Sequence, residues 1–160
     1  MLQTACFWVF FLVVVPAGIV WFENLVGIHR FDIGAWKPVT AAAFSLCGSV
    51  GIYCAWLFAK IGKGTPIPFA SPQGLVIAGP YRYIRNPMAT LGITQGVIVG
   101  IGLGSWITIV SSVIGGIGWH CLARPAEERD LSARRGDAFS RYKAAVRCWV
   151  PRLTPYDPEP

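Results

Sequence analysis

The stretch GPYRYIRNPM, residues 79–88, lies between two long apolar segments and decides how the rest of the chain is arranged. It contains two arginines, two tyrosines and the step Asn86-Pro87. A second polar stretch, AEER at residues 126–129, appears only after the next apolar segment ends. Because the side chains between these stretches are almost all apolar, we expect any chemistry of this protein to take place where the two polar stretches meet.

The composition predicts an integral membrane protein rather than a soluble domain. The 160 residues are 54% hydrophobic and only 14% charged, with a mean hydropathy of +0.51, whereas about 25% of residues are charged in soluble domains. Of the 14 lysines and arginines, 12 lie in residues 60–85 and 124–152. This clustering is typical of cytoplasmic loops. No nucleic-acid-binding motif accompanies it, so we expect no nucleic acid among the partners.

Three apolar stretches predict four membrane-spanning helices. Residues 5–22 and 39–59 each suit one crossing, because about 20 residues span the hydrocarbon core. Residues 87–123 would form about 55 Å of helix, which fits a tight hairpin of two crossings. The turn of this hairpin is expected near Gly100–Ser105. The loop 60–86 is too polar and too rich in proline to span.

The predicted fold class is therefore all-α: one integral membrane domain with four transmembrane helices, the last two forming a helical hairpin. A C-terminal amphipathic helix is predicted over residues 125–147, where charges alternate with apolar side chains at helical spacing. Four crossings place both termini on the cytoplasmic side of the lipid bilayer. The single domain, 1–160, divides into the first two spans (1–59), the loop (60–86), the hairpin (87–123) and the tail (124–160).

Glycine recurs at every fourth position of the third span, at Gly92, Gly96, Gly100 and Gly104. Such a stripe allows another helix to approach closely, either inside the hairpin or in a homo-oligomer. The five cysteines include no CxxC pair, so we predict neither a disulfide framework nor a metal site.

The Asn86-Pro87 step predicts the start of the third span, with Asn86 as the N-cap and Pro87 as the first helical residue. The free N–H groups at such a helix start also suit an anionic group. Arg85 and Arg82 would strengthen that site, although arginines at this position can equally face lipid head groups.

The second polar stretch contains two adjacent carboxylates, Glu127 and Glu128. They either stabilise the first turn of a helix that restarts at Pro125, where the helix dipole favours acids, or hold a ligand. Since adjacent residues point about 100° apart on a helix, only one of the two is expected to face a pocket. His120 is a further candidate, because a polar residue near a membrane boundary calls for a functional hypothesis. Because a helix break is expected at Arg124-Pro125, the sequence does not tell whether the His120 side chain faces the same side as the glutamates.

Taken together, these two stretches resemble the isoprenylcysteine carboxyl methyltransferase and phospholipid methyltransferase superfamily. The matching residues are QGLVxxGxYxxxRNP at 73–87, EExxL at 127–131, RGxxFxxYxxxV at 135–146 and WVPR at 149–152. The resemblance covers roughly residues 60–153. It implies a bacterial inner-membrane enzyme that transfers a methyl group from S-adenosylmethionine (SAM) to a small or lipophilic acceptor: a carboxylate, a thiol or a lipid head group.

Carried over by position, the resemblance implies a cofactor site between the loop and the glutamate pair. The residues expected to bind SAM are Gln73, Gly74, Leu75, Val76, Tyr81, Asn86, Pro87, Met88, Ala89 and Glu127, to which the residue arguments above add His120 and Glu128. The residues expected at the reacting centre are Arg85, Asn86 and Arg124. The family's usual histidine and tyrosine are replaced here by Asn86 and Ala89.

Two alternatives stay open at this point. The replacements at Asn86 and Ala89 motivate a catalytically degenerate scaffold or binding protein of the same fold. A related NADPH-dependent membrane reductase is the other alternative, since such enzymes need no GxGxxG motif.

Overall fold

The computed structural model describes residues 2–62 and 74–158. These residues form helices and connecting turns, and none of them lies in a strand. The α-helices are α1 (Leu2–Val9), α2 (Val15–Val26), α3 (Lys37–Gly62), α4 (Pro87–Leu103), α5 (Trp106–Gly118) and α6 (Arg124–Ala145). Two π-helical segments, Phe10–Val14 and Trp119–Ala123, join α1 to α2 and α5 to α6. The all-helical prediction is confirmed.

Among the described residues, three helical runs are long and apolar enough to cross a membrane: Gln3–Val26, Gly34–Gly62 and Trp106–Ala145. They contain the first two predicted spans and the last one, and they indicate an integral membrane protein. The remaining predicted span is α4, an apolar helix of 17 residues, or about 26 Å of helix. Its crossing, and with it the count of four, stays a prediction.

Helix α4 lies at the centre of the bundle, where it packs against α3, α5 and α2. The predicted glycine stripe provides the close approach. A Cβ atom at Gly96 would lie 2.6 Å from the Ser112 hydroxyl, and one at Gly100 would lie 2.8 Å from a backbone nitrogen of α5. The indole ring of Trp8 occupies the space in front of Gly92. The stripe therefore serves packing inside this chain.

The turn between α4 and α5 falls at Gly104 and Ser105, within the predicted range. Gly104 has φ +67°, a left-handed conformation that glycine adopts without strain. Ser105 caps α5 by accepting a hydrogen bond from the Thr108 N–H at 3.0 Å. Its hydroxyl donates to the buried carboxylate of Glu23 at 2.6 Å. The Phe31 N–H donates to the Gly104 carbonyl at 2.9 Å, so this turn is tied both to α2 and to the connection that follows α2.

Helix α5 continues into α6 without the break expected at Arg124-Pro125. The π-helical segment accommodates Pro125 within the helix. The Arg124 N–H donates to the carbonyl of Trp119, five residues back, and the Arg124 side chain donates to the His120 carbonyl at 3.3 Å. Because the wider turn and this side chain satisfy the local carbonyls, the missing N–H of Pro125 does not end the helix. Helix α6 confirms the predicted tail helix but bends at Gly136, which has φ +45°.

The chain after α6, residues 146–158, folds back across the first polar stretch; we call it the C-terminal segment. The Arg85 N–H donates to the Arg147 carbonyl at 3.0 Å, and the Arg152 N–H donates to the Tyr83 carbonyl at 2.9 Å. Arg82 pairs with the carboxylate of Asp157. These contacts, together with the 2.9 Å ion pair between Arg85 and Glu128, fix both polar stretches at one end of the bundle, which we call the basic end. The Gly104–Ser105 turn marks the opposite end.

Candidate functional site

A cavity of about 520 Å³ lies between the N-terminal helices, the α4–α5 hairpin and α6. Both π-helical segments contribute to its wall, through Phe11 and Leu12 in the first and Trp119 and Leu122 in the second. π-helical turns are often found at functional sites. The volume lies within the range of about 300–1,000 Å³ typical of small-molecule sites.

The cavity has a polar end and a long apolar stretch. At the basic end, Tyr81, Arg85, Asn86 and Glu127 line it, and all four belong to the two polar stretches of the sequence. From there the wall runs along α5 as far as Thr108. Along the straight helix, Ala123 and Thr108 are separated by about 22 Å. The two polar stretches thus meet, as expected, and they meet at the mouth of an elongated apolar space.

Asn86 occupies the predicted N-cap position of α4, but its side chain makes no capping bond. Instead, its amide nitrogen donates a hydrogen bond to the sulfur of Cys148, 3.2 Å away in the C-terminal segment. The start of α4 is secured differently, since the Asn86 carbonyl accepts bonds from the N–H and the hydroxyl of Thr90. The predicted capping role is therefore wrong for the side chain, because a long-range partner takes the amide.

The side chains of Glu127 and Glu128 lie on different faces of α6, as the helical spacing predicts. Glu127 lines the cavity and Glu128 does not. Glu128 lies among three cations. Its carboxylate is 2.9 Å from Arg85, 3.4 Å from Arg124 and 2.7 Å from Lys143. Since the side chains of Arg85 and Glu128 are only 9% and 11% exposed, little water screens this pair.

Arg85 makes further hydrogen bonds in addition to its ion pair with Glu128. One of its terminal nitrogens donates to the carbonyls of Lys143 at 2.9 Å and Val146 at 3.1 Å, where α6 ends. Arg85 thereby joins the first polar stretch to α6 and to the C-terminal segment. Arg85 is also one of the residues that line the cavity, so it is both a support and a source of positive charge at the polar end.

Tyr81 remains a neutral phenol beside Glu127. Burial raises the pKa of Tyr81 well above its usual range, with smaller contributions in the same direction from Cys54, Tyr142 and Glu127. Its backbone carbonyl accepts a hydrogen bond from the Tyr142 hydroxyl at 2.7 Å. This bond connects the loop to α6 across the floor of the cavity.

His120 and Arg124 are among the candidates that lie outside the cavity wall. The His120 ring accepts a hydrogen bond at Nδ1 from the Trp149 indole, at 2.8 Å. Arg124 binds the His120 carbonyl and Glu128. Both therefore take part in fixing the π-helical segment and the C-terminal segment, and neither lines the cavity.

The other candidates divide in the same way. The predicted residues that line the cavity are Leu75, Val76, Tyr81, Arg85, Asn86, Met88, Ala89 and Glu127. Those described but not in its wall are Gly74, Pro87, His120, Arg124 and Glu128. Gln73 lies outside the described residues. The binding and catalytic roles of all of them stay predictions.

Sequence reasoning missed the aromatic part of the wall. Phe7, Trp8 and Phe11 line the cavity from α1 and the first π-helical segment, which together with α2 we call the N-terminal helix. In the sequence they look the same as lipid-facing residues. Phe139 and Tyr142 line it from α6, where their spacing predicted only an amphipathic helix. Their place in the motif RGxxFxxY was the one available signal.

Comparison with known proteins assigns no family. No family model matches this chain, and no curated protein or solved structure matches it.

Proposed function

We propose that this protein transfers a methyl group from SAM to a lipophilic acceptor at the surface of the membrane. The observation that carries the proposal is the single cavity in which Asn86 and Glu127 form a polar end and aromatic residues of the N-terminal helix form an apolar wall. The resemblance of the two polar stretches to membrane methyltransferases supports the same activity. The acceptor would lie along the apolar wall and the cofactor at the polar end.

The chemistry of the polar end fits SAM. This cofactor carries an ammonium group, a sulfonium cation and ribose hydroxyls, which need hydrogen-bond acceptors and negative charge. Glu127 supplies a carboxylate, and no described residue donates to the amide oxygen of Asn86. Arg85 supplies a positive charge suited to the carboxylate of the cofactor.

The residues at this end would bind and orient the cofactor and exclude water from it, rather than transfer protons. SAM brings an already activated methyl group, so the protein's part is an in-line approach in a dry cavity. Asn86 has no titratable group, and the buried Tyr81 phenol stays protonated. An acceptor that needs little help from a base, such as a carboxylate or a thiolate, therefore suits this site best.

A lipophilic acceptor would enter from the side. Phe11 and Leu122 line the cavity and are also exposed on the outer surface of the helices, Leu122 to 69%. An entrance between these two side chains would face the zone where hydrocarbon chains surround a membrane protein. The basic end would lie in the cytoplasm, because 10 of the 14 lysines and arginines belong to residues 74–85 and 124–152, the described segments that meet there.

Replacing Glu127 with alanine is expected to weaken SAM binding about ten- to hundredfold, the usual effect of losing a hydrogen bond to a charged group. Isothermal titration of the detergent-purified protein with SAM and with its demethylated product measures this loss. Asp137→Ala is the matched control, because Asp137 is an exposed acid on the same helix and lies outside the cavity wall.

Three outcomes would contradict the proposal. Equal SAM affinity in wild type and Glu127→Ala would remove this carboxylate from the site. Saturable binding of NADPH without SAM would favour a reductase. SAM binding without transfer to any carboxylate, thiol or lipid acceptor would favour a degenerate scaffold.

A further inference from the structure

The bond between Asn86 and Cys148 joins a cavity-lining side chain to a residue that is distant in sequence and buried behind it. The amide nitrogen of Asn86 points at the Cys148 sulfur, 3.2 Å away, and Cys148 is not part of the cavity wall. The oxygen and nitrogen of an amide branch from the same carbon in one plane, so they point in different directions. Because the nitrogen is engaged by the sulfur, the oxygen is the amide atom left to face the cavity.

Cys148 is itself held in a fixed place. The residue before it, Arg147, accepts a backbone bond from Arg85 at 3.0 Å. The residue after it, Trp149, donates from its indole to His120 at 2.8 Å. Contacts on both sides therefore hold the backbone at Cys148, so that its sulfur is a partner with a fixed place for the Asn86 amide.

We propose that Cys148 is a positioning residue for cofactor binding: it holds the Asn86 amide so that its oxygen, and not its N–H₂ group, faces the cavity. This inference deepens the proposed function and rests on it for the identity of the ligand. With the oxygen inward, the polar end offers a carbonyl beside the Glu127 carboxylate. That combination recognises a cationic ligand such as SAM, whereas an inward N–H₂ group would repel its ammonium.

A double-mutant cycle on SAM binding tests whether Cys148 acts through Asn86. Cys148→Ala is expected to weaken SAM binding about fivefold, the effect of one hydrogen bond, and Cys148→Ser to restore most of the affinity. In an Asn86→Ala background, Cys148→Ala is expected to cause no further loss, because the group it positions is gone. Independent, multiplying losses would show a general structural effect and overturn the inference.

A second measurement needs no SAM, so it decides the geometry even if the proposed function fails. In a protein whose other four cysteines are replaced by alanine, N-ethylmaleimide reports the accessibility of Cys148. Asn86→Ala is expected to raise the alkylation rate about fivefold, since it removes the bond that covers the sulfur. Thr90→Ala is the control, because Thr90 bonds the Asn86 carbonyl and not the amide.

The two measurements separate the two ideas. If wild type binds no SAM but Asn86→Ala still exposes Cys148, the proposed cofactor fails while the positioning contact stands. An alkylation rate that is the same with and without the Asn86 side chain would overturn the contact itself, whatever the protein binds.

Discussion

Replacing Glu128 with alanine is expected to lower the free energy of unfolding by about 3–5 kcal/mol, the cost of breaking a buried ion pair from one side. The substitution would leave Arg85, whose side chain is 9% exposed, without its countercharge. Arg124 and Lys143 would then stand beside it with no carboxylate between them. Lys143 is 47% exposed, so water screens it, and most of the loss comes from Arg85.

Unfolding in mixed micelles, followed by circular dichroism as the denaturing detergent is raised, measures this loss. The neighbouring substitution Glu127→Ala is the control, because it removes the adjacent carboxylate, which lines the cavity, and leaves Glu128 with its three cations. We expect the two substitutions to have opposite profiles: a large loss of stability for Glu128 and a large loss of ligand affinity for Glu127. Comparable stability of both variants would contradict the role assigned to Glu128.

Replacing Gly104 with alanine is expected to cost about 2–5 kcal/mol, from a strained backbone together with overpacking. Gly104 has φ +67°, which a residue with a Cβ atom adopts only under strain. The added Cβ would also collide with the carbonyl oxygen of Phe31. Either the α4–α5 turn or the Phe31 backbone must move, and the bond between the Phe31 N–H and the Gly104 carbonyl would be lost with it.

Gly115→Ala is the matched control for this substitution. Gly115 lies within α5 and has no neighbouring atom within 4 Å of a built Cβ, so alanine there is expected to stabilise the helix by about 0.5–1 kcal/mol. The same detergent titration measures both variants. A Gly104→Ala protein as stable as the Gly115→Ala protein would show that the turn is not under the constraint described.

Much of the fold follows from local sequence. Hydropathy alone predicts the helices that contain residues 5–22 and 39–59, since an unbroken apolar run of about 20 residues satisfies its own backbone in lipid as a helix. The position of the α4–α5 turn follows from Gly104 and Ser105, whose preferences are local as well. The separation of Glu127 from Glu128 needed only the 100° step of a helix.

What could not be predicted depends on contacts between distant parts of the chain. Asn86 has a strong local preference for capping, but Cys148, far along the sequence, takes its amide. Pro125 has a strong local tendency to end a helix, yet the π-helical turn before it keeps the helix continuous. The aromatic residues Phe7 and Phe11 line the cavity only because of the way the N-terminal helix packs, which their composition does not reveal.

The place of the C-terminal segment has a consequence for how the protein is made. Residues 146–158 supply Cys148 behind Asn86 and the backbone partners of Arg82, Tyr83 and Arg85. Helices α1 to α6 leave the ribosome before this segment does. The helices can therefore be in the bilayer while the polar end of the cavity is still unfinished, and that end is completed only after residues 146–158 have been made.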